Sequence, residues 1–252
     1  MSKKKKKQTD SENLFISTQT EANQQPQMLN ISNDKLEFKV EDQFKCPIYI
    51  GYKPEWVEPL NKASDPIIEK LRKAWKKKIK DPNDSTENMP NSLHSELLWQ
   101  YPEFKEITNL ILQQSWNILS MQGYDLRGKI PMLTELWVQE FPEEGGFHDI
   151  HEHGNNHISG FYFLKCNKKT SHPVFWDPRP GKKMTDLMMK DRWKINYGSQ
   201  QIHYNVKPGH FIFFNSYMPH SYLHHKGKEK FRFIHFNLQA VIDPNKTNLT
   251  TK

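Results

Sequence analysis

The stretch His151-Glu152-His153-Gly154-Asn155, followed by Ser159-Gly160-Phe161-Tyr162-Phe163-Leu164, carries the deciding pattern of this chain. Glycine and asparagine beside the histidines make a poor helix, so the segment reads as extended. Residues i and i+2 of an extended segment point to one face, about 6.6 Å apart. His151 and His153 can therefore turn two imidazoles toward one ion. His220, after Met218-Pro219 near the end of the chain, can close a three-sided face and leave positions open for oxygen and a co-substrate. The zinc-protease pattern His-Glu-x-x-His fails, because position 155 is Asn. A structural zinc site would draw on cysteine, and neither Cys46 nor Cys166 lies near. Neutral imidazoles suit ferrous iron. The competing reading is that these residues, among twelve histidines, only hydrogen-bond within loops.

Around this segment the chain reads as short strands. Leu133–Val138, Ser159–Leu164, Val174–Trp176, Ile202–Val206, Phe211–Phe214, Ser221–His224 and Phe231–Leu238 are β-like runs. Glu144-Gly145-Gly146, Asp177-Pro178-Arg179-Pro180-Gly181 and Lys207-Pro208-Gly209 supply the turns between them. Many short strands with such turns predict a sandwich or barrel.

The N-terminal part differs. Residues 1–40 are polar and poor in apolar side chains, and read as a disordered tail. Residues 41–130 combine a short strand, Ile48-Tyr49-Ile50, with two helical patterns separated by a loop at Asp81–Thr86. The second helix begins near Pro102 and carries Phe104, Ile107, Ile111 and Ile118 on one side. This region is expected to support a strand-rich core at residues 131–242, with 243–252 as a C-terminal tail. The fold class is mainly β with N-terminal helices, α+β in type.

Composition sets further limits. Two basic blocks, Lys3–Lys7 and Lys70–Lys80, accompany a net charge of +7. The second can meet phosphates, with Trp75 stacking on a base, which keeps a nucleic-acid partner open. Its plainer reading is a solvated helix face over an apolar stripe of Leu71, Trp75 and Ile79. No apolar run approaches the roughly 18 residues of a membrane span. Lys3–Lys7 is not followed by the apolar segment of a signal peptide. Two cysteines without metal or redox spacing fit a reducing, cytoplasmic setting, the host cytoplasm if the protein is viral.

A series of short motifs now resembles a known family. Trp137-Val138-Gln139, Gly145-Gly146-Phe147-His148, His151–Asn155 and Ser159–Leu164 come first. Phe175–Arg179, Val206–Gly209, Phe213–His220 and Arg232–Asn237 follow in order. Together they resemble the iron(II)/2-oxoglutarate-dependent oxygenase superfamily, in the branch found in phages and bacteria. The likeness covers roughly residues 92–240. It implies a double-stranded β-helix, or jelly-roll, with Fe(II) in its open mouth. It implies His151, His153 and His220 as metal ligands, and 2-oxoglutarate and dioxygen as co-substrates. It implies Arg232 as the guanidinium that holds the distal carboxylate of 2-oxoglutarate, with Tyr162 donating its hydroxyl to the same group. The reaction implied is hydroxylation of a C–H bond coupled to decarboxylation of 2-oxoglutarate to succinate.

The chain departs from the superfamily pattern in two places. The superfamily uses His-x-Asp or His-x-Glu, whereas here the second ligand position is His153. Asp149 and Glu152 are the nearest carboxylates, but their parity points them away from His151 and His153. The hydroxyl residue often found two after the arginine is replaced by Ile234. Phe161, Phe175, Trp176, Phe213 and Phe214 are expected to wall the site or pack the core. The substrate is not legible. A non-catalytic, cupin-like jelly-roll that binds a metal or ligand is the alternative from another class.

Overall fold

The computed structural model describes residues 13–16, 27–30, 39, 41–79, 92–141, 145–184, 187, 189–191 and 193–246. The chain falls into two compact units, Met1–Lys45 and Cys46–Lys252. In the first, β1 (Asn13–Ile16) and β2 (Gln27–Asn30) pair antiparallel. Apart from Lys39, the rest of the expected polar tail lies outside the described residues. So do the Lys3–Lys7 block and the Asp81–Thr86 loop.

The second unit opens with β3 (Ile48–Tyr52), α1 (Val57–Ile79), β4 (Leu93–His94) and α2 (Lys105–Met121). The strands β5 (Lys129–Phe141), β6 (His148–His151), β7 (Ile158–Lys165), β8 (Pro173–Trp176) and β9 (Gln201–His203) follow. The unit continues through β10 (His210–Asn215), β11 (His220–Tyr222) and β12 (Phe231–Ile242). A six-stranded sheet has the order β3-β10-β7-β12-β5-β4, and a four-stranded sheet the order β6-β11-β8-β9. Every neighbouring pair is antiparallel. This is the jelly-roll arrangement expected for the strand-rich part. The short strands β4 and β6 are additions to the sequence reading.

Alternation along β7, β10 and β12 separates two cores. Phe161, Phe163, Ile212, Phe214, Phe231 and Phe233 face inward, with Phe141, Phe175 and Tyr222 completing the cluster between the sheets. Tyr162, Leu164, Phe211, Phe213, Ile234, Phe236 and Leu238 face outward. They pack against Leu60 and Ile68 of α1 and Ile107, Ile111 and Ile118 of α2. Leu71 and Trp75 join this outer core, while Lys70, Lys73, Lys76 and Lys77 are exposed. The apolar-stripe reading of that helix therefore holds for Leu71 and Trp75. The side chain of Ile79 is not described.

Gly160 is set by this packing. A Cβ there would stand 2.2 Å from Cζ of Phe236 and 2.4 Å from the main-chain oxygen of Ile212. Only glycine leaves room at this position for the Phe236 ring and the Ile212 carbonyl.

Candidate metal centre

Strand pairing brings two of the three histidines together. His151 ends β6 and lies directly opposite His220, the first residue of β11. Their rings are 4.3 Å apart, centre to centre. His153 lies two residues past the strand, in the loop that precedes β7. Its amide donates to Ser216 O at 3.0 Å, which ties the loop to the segment before β11. Asn155 turns the chain back with φ of 62°, a left-handed conformation that asparagine tolerates.

The ring nitrogens are sorted. His151 Nδ1 is 2.7 Å from Asp149 O, and His220 Nδ1 is 3.0 Å from Met218 O. Each imidazole is thus held by the carbonyl two residues before it, with Nδ1–H donating and Nε2 left as a lone pair. His153 Nε2 stands 3.2 Å from His220 Nε2. Two nitrogens bound to one ion at about 2.1 Å and at right angles lie about 3 Å apart. His151, His153 and His220 together place one ligand atom each within 4.8 Å of the others. The donor set fits a borderline divalent cation such as Fe(II).

Burial keeps the His153 and His220 rings neutral. The His153 imidazole is pushed down to about 3, first by burial and then by neighbouring His235 and His151. Burial, with His151 and His153 beside it, holds His220 well below its ordinary value. A neutral imidazole is the form that ligates.

The mouth also holds residues that sequence reading missed. The inward positions of β5 are Glu135, Trp137, Gln139 and Phe141, and those of β12 are Phe231, Phe233, His235 and Asn237. Asn237 lies opposite Glu135, and His235 opposite Trp137. Asn237 Nδ2 contacts the Glu135 carboxylate and stands 3.0 Å from His153 Nδ1. His235 stacks on Trp137 at 5.1 Å and lies 4.8 Å from the His153 ring. Gln139 Nε2 bonds Ser92 Oγ at 3.0 Å and meets His148 Nε2 at 2.5 Å. The signal was present as a period-two alternation in Glu135–Phe141 and Phe231–Asn237, with polar and imidazole groups on the aromatic face. The carboxylate near the histidines is Glu135. Asp149 and Glu152 are exposed.

Arg232 and Tyr162 do not share this face. Arg232 is buried on the outer side of β12, toward α1. Its Nε lies 2.8 Å from Glu140 Oε2, and one terminal nitrogen 2.7 Å from the same oxygen. The other terminal nitrogen is 2.7 Å from Asp65 Oδ1. The parity of β12 explains the correction: Phe231, Phe233 and His235 take the inward positions, so residue 232 must point out. Tyr162 also faces out, and its hydroxyl donates to Lys53 O at 2.7 Å. Neither side chain reaches the histidines. Arg179, in the Asp-Pro-Arg turn, is exposed and paired with Asp177 at 2.7 Å. Of the expected aromatic walls, Phe161, Phe175 and Phe214 surround His220, with ring centres 5.6, 6.1 and 4.8 Å away. Phe213 is outward, and Trp176 donates to Ser221 Oγ at 3.0 Å.

Residues 135–237 match a family model described as "Putative 2OG-Fe(II) oxygenase". The match runs from Glu135 to Asn237 and encloses every histidine of the cluster. The matched stretch, less than half of the chain, is similar to the iron(II)/2-oxoglutarate-dependent oxygenase superfamily. Solved structures of similar fold include AviO1 from Streptomyces viridochromogenes Tue57, at 12% identity and a TM-score of 0.50. That alignment covers 79% of this chain and 91% of AviO1. A Pseudomonas putida prolyl-4-hydroxylase aligns at 11% identity and a TM-score of 0.47, over 77% of this chain and 92% of that one. A Burkholderia pseudomallei oxidoreductase of the 2OG-Fe(II) oxygenase family aligns at 11% identity and 0.38, over 55% of this chain. The chain spans 58% of that protein's length. No curated protein matches the sequence. Among the described residues, no helix is long and apolar enough to cross a membrane.

Proposed function

We propose that the chain is an Fe(II)- and 2-oxoglutarate-dependent dioxygenase that hydroxylates a C–H bond, with His151, His153 and His220 as its metal ligands. The observation that carries this reading is the convergence of three imidazoles inside a jelly-roll fold. When bound, the iron supplies the coupling of dioxygen reduction to decarboxylation of 2-oxoglutarate. The chain's own part is positional. Backbone carbonyls fix the His151 and His220 rings, and Asn237 meets the far nitrogen of His153. Phe161, Phe175 and Phe214 keep water from the His220 side.

The co-substrate's distal carboxylate needs donors on the inward face, which Arg232 and Tyr162 do not reach. Trp137 Nε1 and Tyr222 Oη are buried there without hydrogen-bond partners. We assign them to that carboxylate, because a buried donor without a partner loses its hydration for nothing unless a ligand completes it. Ring contacts place Tyr222 beside Phe161 and His148, and Trp137 beside His235 and His94.

Anaerobic titration with Fe(II) and then 2-oxoglutarate tests the reading. A visible charge-transfer band that grows with 2-oxoglutarate, and succinate formed when air is admitted, is the expected result. Metal uptake with no band and no succinate would leave a cupin-like binding module instead.

A further inference from the structure

Glu135 and His235 are not needed by the three-histidine face, yet they stand against it. Five buried side-chain polar atoms among the described residues make no hydrogen bond. Two of them, His235 Nε2 and Asn237 Oδ1, belong to residues that approach the Glu135 carboxylate. His235 Nε2 lies 3.4 Å from Glu135 Oε2, and the side chain is 4% exposed. A nitrogen buried this deeply, close to a carboxylate but not bonded to it, calls for a further partner such as an ion. Glu135, His153 and His235 each present one ligand atom, and the three atoms lie within 4.8 Å of one another.

We propose that Glu135, His153 and His235 form a second position for a divalent cation, which shares His153 with the three-histidine face. This inference rests on the metal-centre reading above. The ligand class is a borderline dication, Fe(II), Mn(II) or Zn(II), because one carboxylate and two imidazoles suit those ions. The second position also supplies a carboxylate, which a face of three imidazoles lacks. His153 is the pivot. Its Nε2 faces His220 at 3.2 Å, and its Nδ1 faces Asn237, beside Glu135, at 3.0 Å. A neutral imidazole has one lone pair, so His153 serves one ion at a time. The two positions are alternatives, and the chain holds a single ion through His153.

Single substitutions separate this arrangement from an isolated three-histidine site. Anaerobic titration of the full chain with Co(II), read by its visible bands, and with Fe(II), gives stoichiometry and affinity. Wild type is expected to take one ion through these residues. His153→Ala removes a ligand from both positions and is expected to abolish binding. His151→Ala and His220→Ala each leave the second position whole. They are expected to retain one ion, with a Co(II) spectrum altered by the carboxylate oxygen. Adding Glu135→Gln to either variant is expected to weaken that residual binding by roughly tenfold or more.

The half-buried His151 provides the safer variant, and thermal melting shows which variants are folded. A folded His151→Ala protein that binds no ion overturns the proposal. Residual binding that ignores Glu135→Gln overturns it as well. Failure of the underlying reading looks different, because wild type itself would then take up no cation.

Discussion

Arg232 and Glu140 form a buried ion pair across neighbouring strands, with two guanidinium nitrogens 2.7 and 2.8 Å from one carboxylate oxygen. Arg72 of α1 reaches the other oxygen of Glu140 at 2.5 Å, and Asp65 of α1 meets Arg232 at 2.7 Å. The group therefore fastens α1 to the outer face of the sheet. Arg232→Ala leaves Glu140 buried with one partner fewer. The expected loss is about 3–5 kcal/mol in chemical denaturation. The 2-oxoglutarate dependence of the folded variant is expected to match the parent. A raised 2-oxoglutarate requirement at unchanged stability would return Arg232 to the site.

Tyr222→Phe removes a hydroxyl that has no partner in the fold. Stability is expected to change by less than about 0.5 kcal/mol. The 2-oxoglutarate concentration for half-maximal charge-transfer absorbance is expected to rise roughly tenfold, as for a lost hydrogen bond to a charged group. An unchanged titration would move the carboxylate anchor away from Tyr222.

Tyr162→Phe serves as the counterpart. Its hydroxyl bonds the Lys53 carbonyl on the outer face. The expected result is a loss of about 1 kcal/mol of stability with co-substrate binding intact. Equilibrium unfolding beside the 2-oxoglutarate titration distinguishes the two tyrosines.

Gly160→Ala pushes a methyl group into the Phe236 ring and the Ile212 carbonyl. The main-chain oxygen cannot rotate away. Destabilisation of about 1–3 kcal/mol or more is expected, measured by the midpoint of denaturant unfolding. A midpoint equal to the parent's would mean that β7 and β10 can separate at no cost.

Cys166 offers a probe of the same core. Burial raises its thiol to about 12, so little thiolate exists near pH 8. Alkylation is expected to be slow in the folded protein and to speed up sharply in denaturant. Mass spectrometry of the labelled peptide reads the difference, and rapid labelling without denaturant would contradict the packing.

Much of this was legible in the sequence, because period two is a strong signal where aromatics alternate. The strands of a sandwich or barrel could be read from runs and turns, and the approach of His151, His153 and His220 from spacing, while the jelly-roll came from the family resemblance. The outward turn of Arg232 was harder. The parity of β12, with Phe231, Phe233 and His235 inward, already turns residue 232 outward, but the resemblance to the superfamily pointed the other way. Glu135 and His235 were missed for a different reason. They sit on different strands a hundred residues apart in sequence order, and only the pairing of β5 with β12 shows that they meet. Glu140 was invisible as an ion-pair partner because its companions Arg72 and Asp65 come from a helix about seventy residues earlier.

The pairing of His151 with His220 has a kinetic consequence. These two rings ride on paired strands, whereas His153 sits in a loop that is tied to Ser216 by its own amide and anchored farther along, at His157, to Leu238 and Ser216. Escape of a bound ion then begins with the loop swinging aside while the paired rings hold on. The exchange rate of the ion should follow the opening of residues 152–157 and remain indifferent to how tightly the sheets are packed.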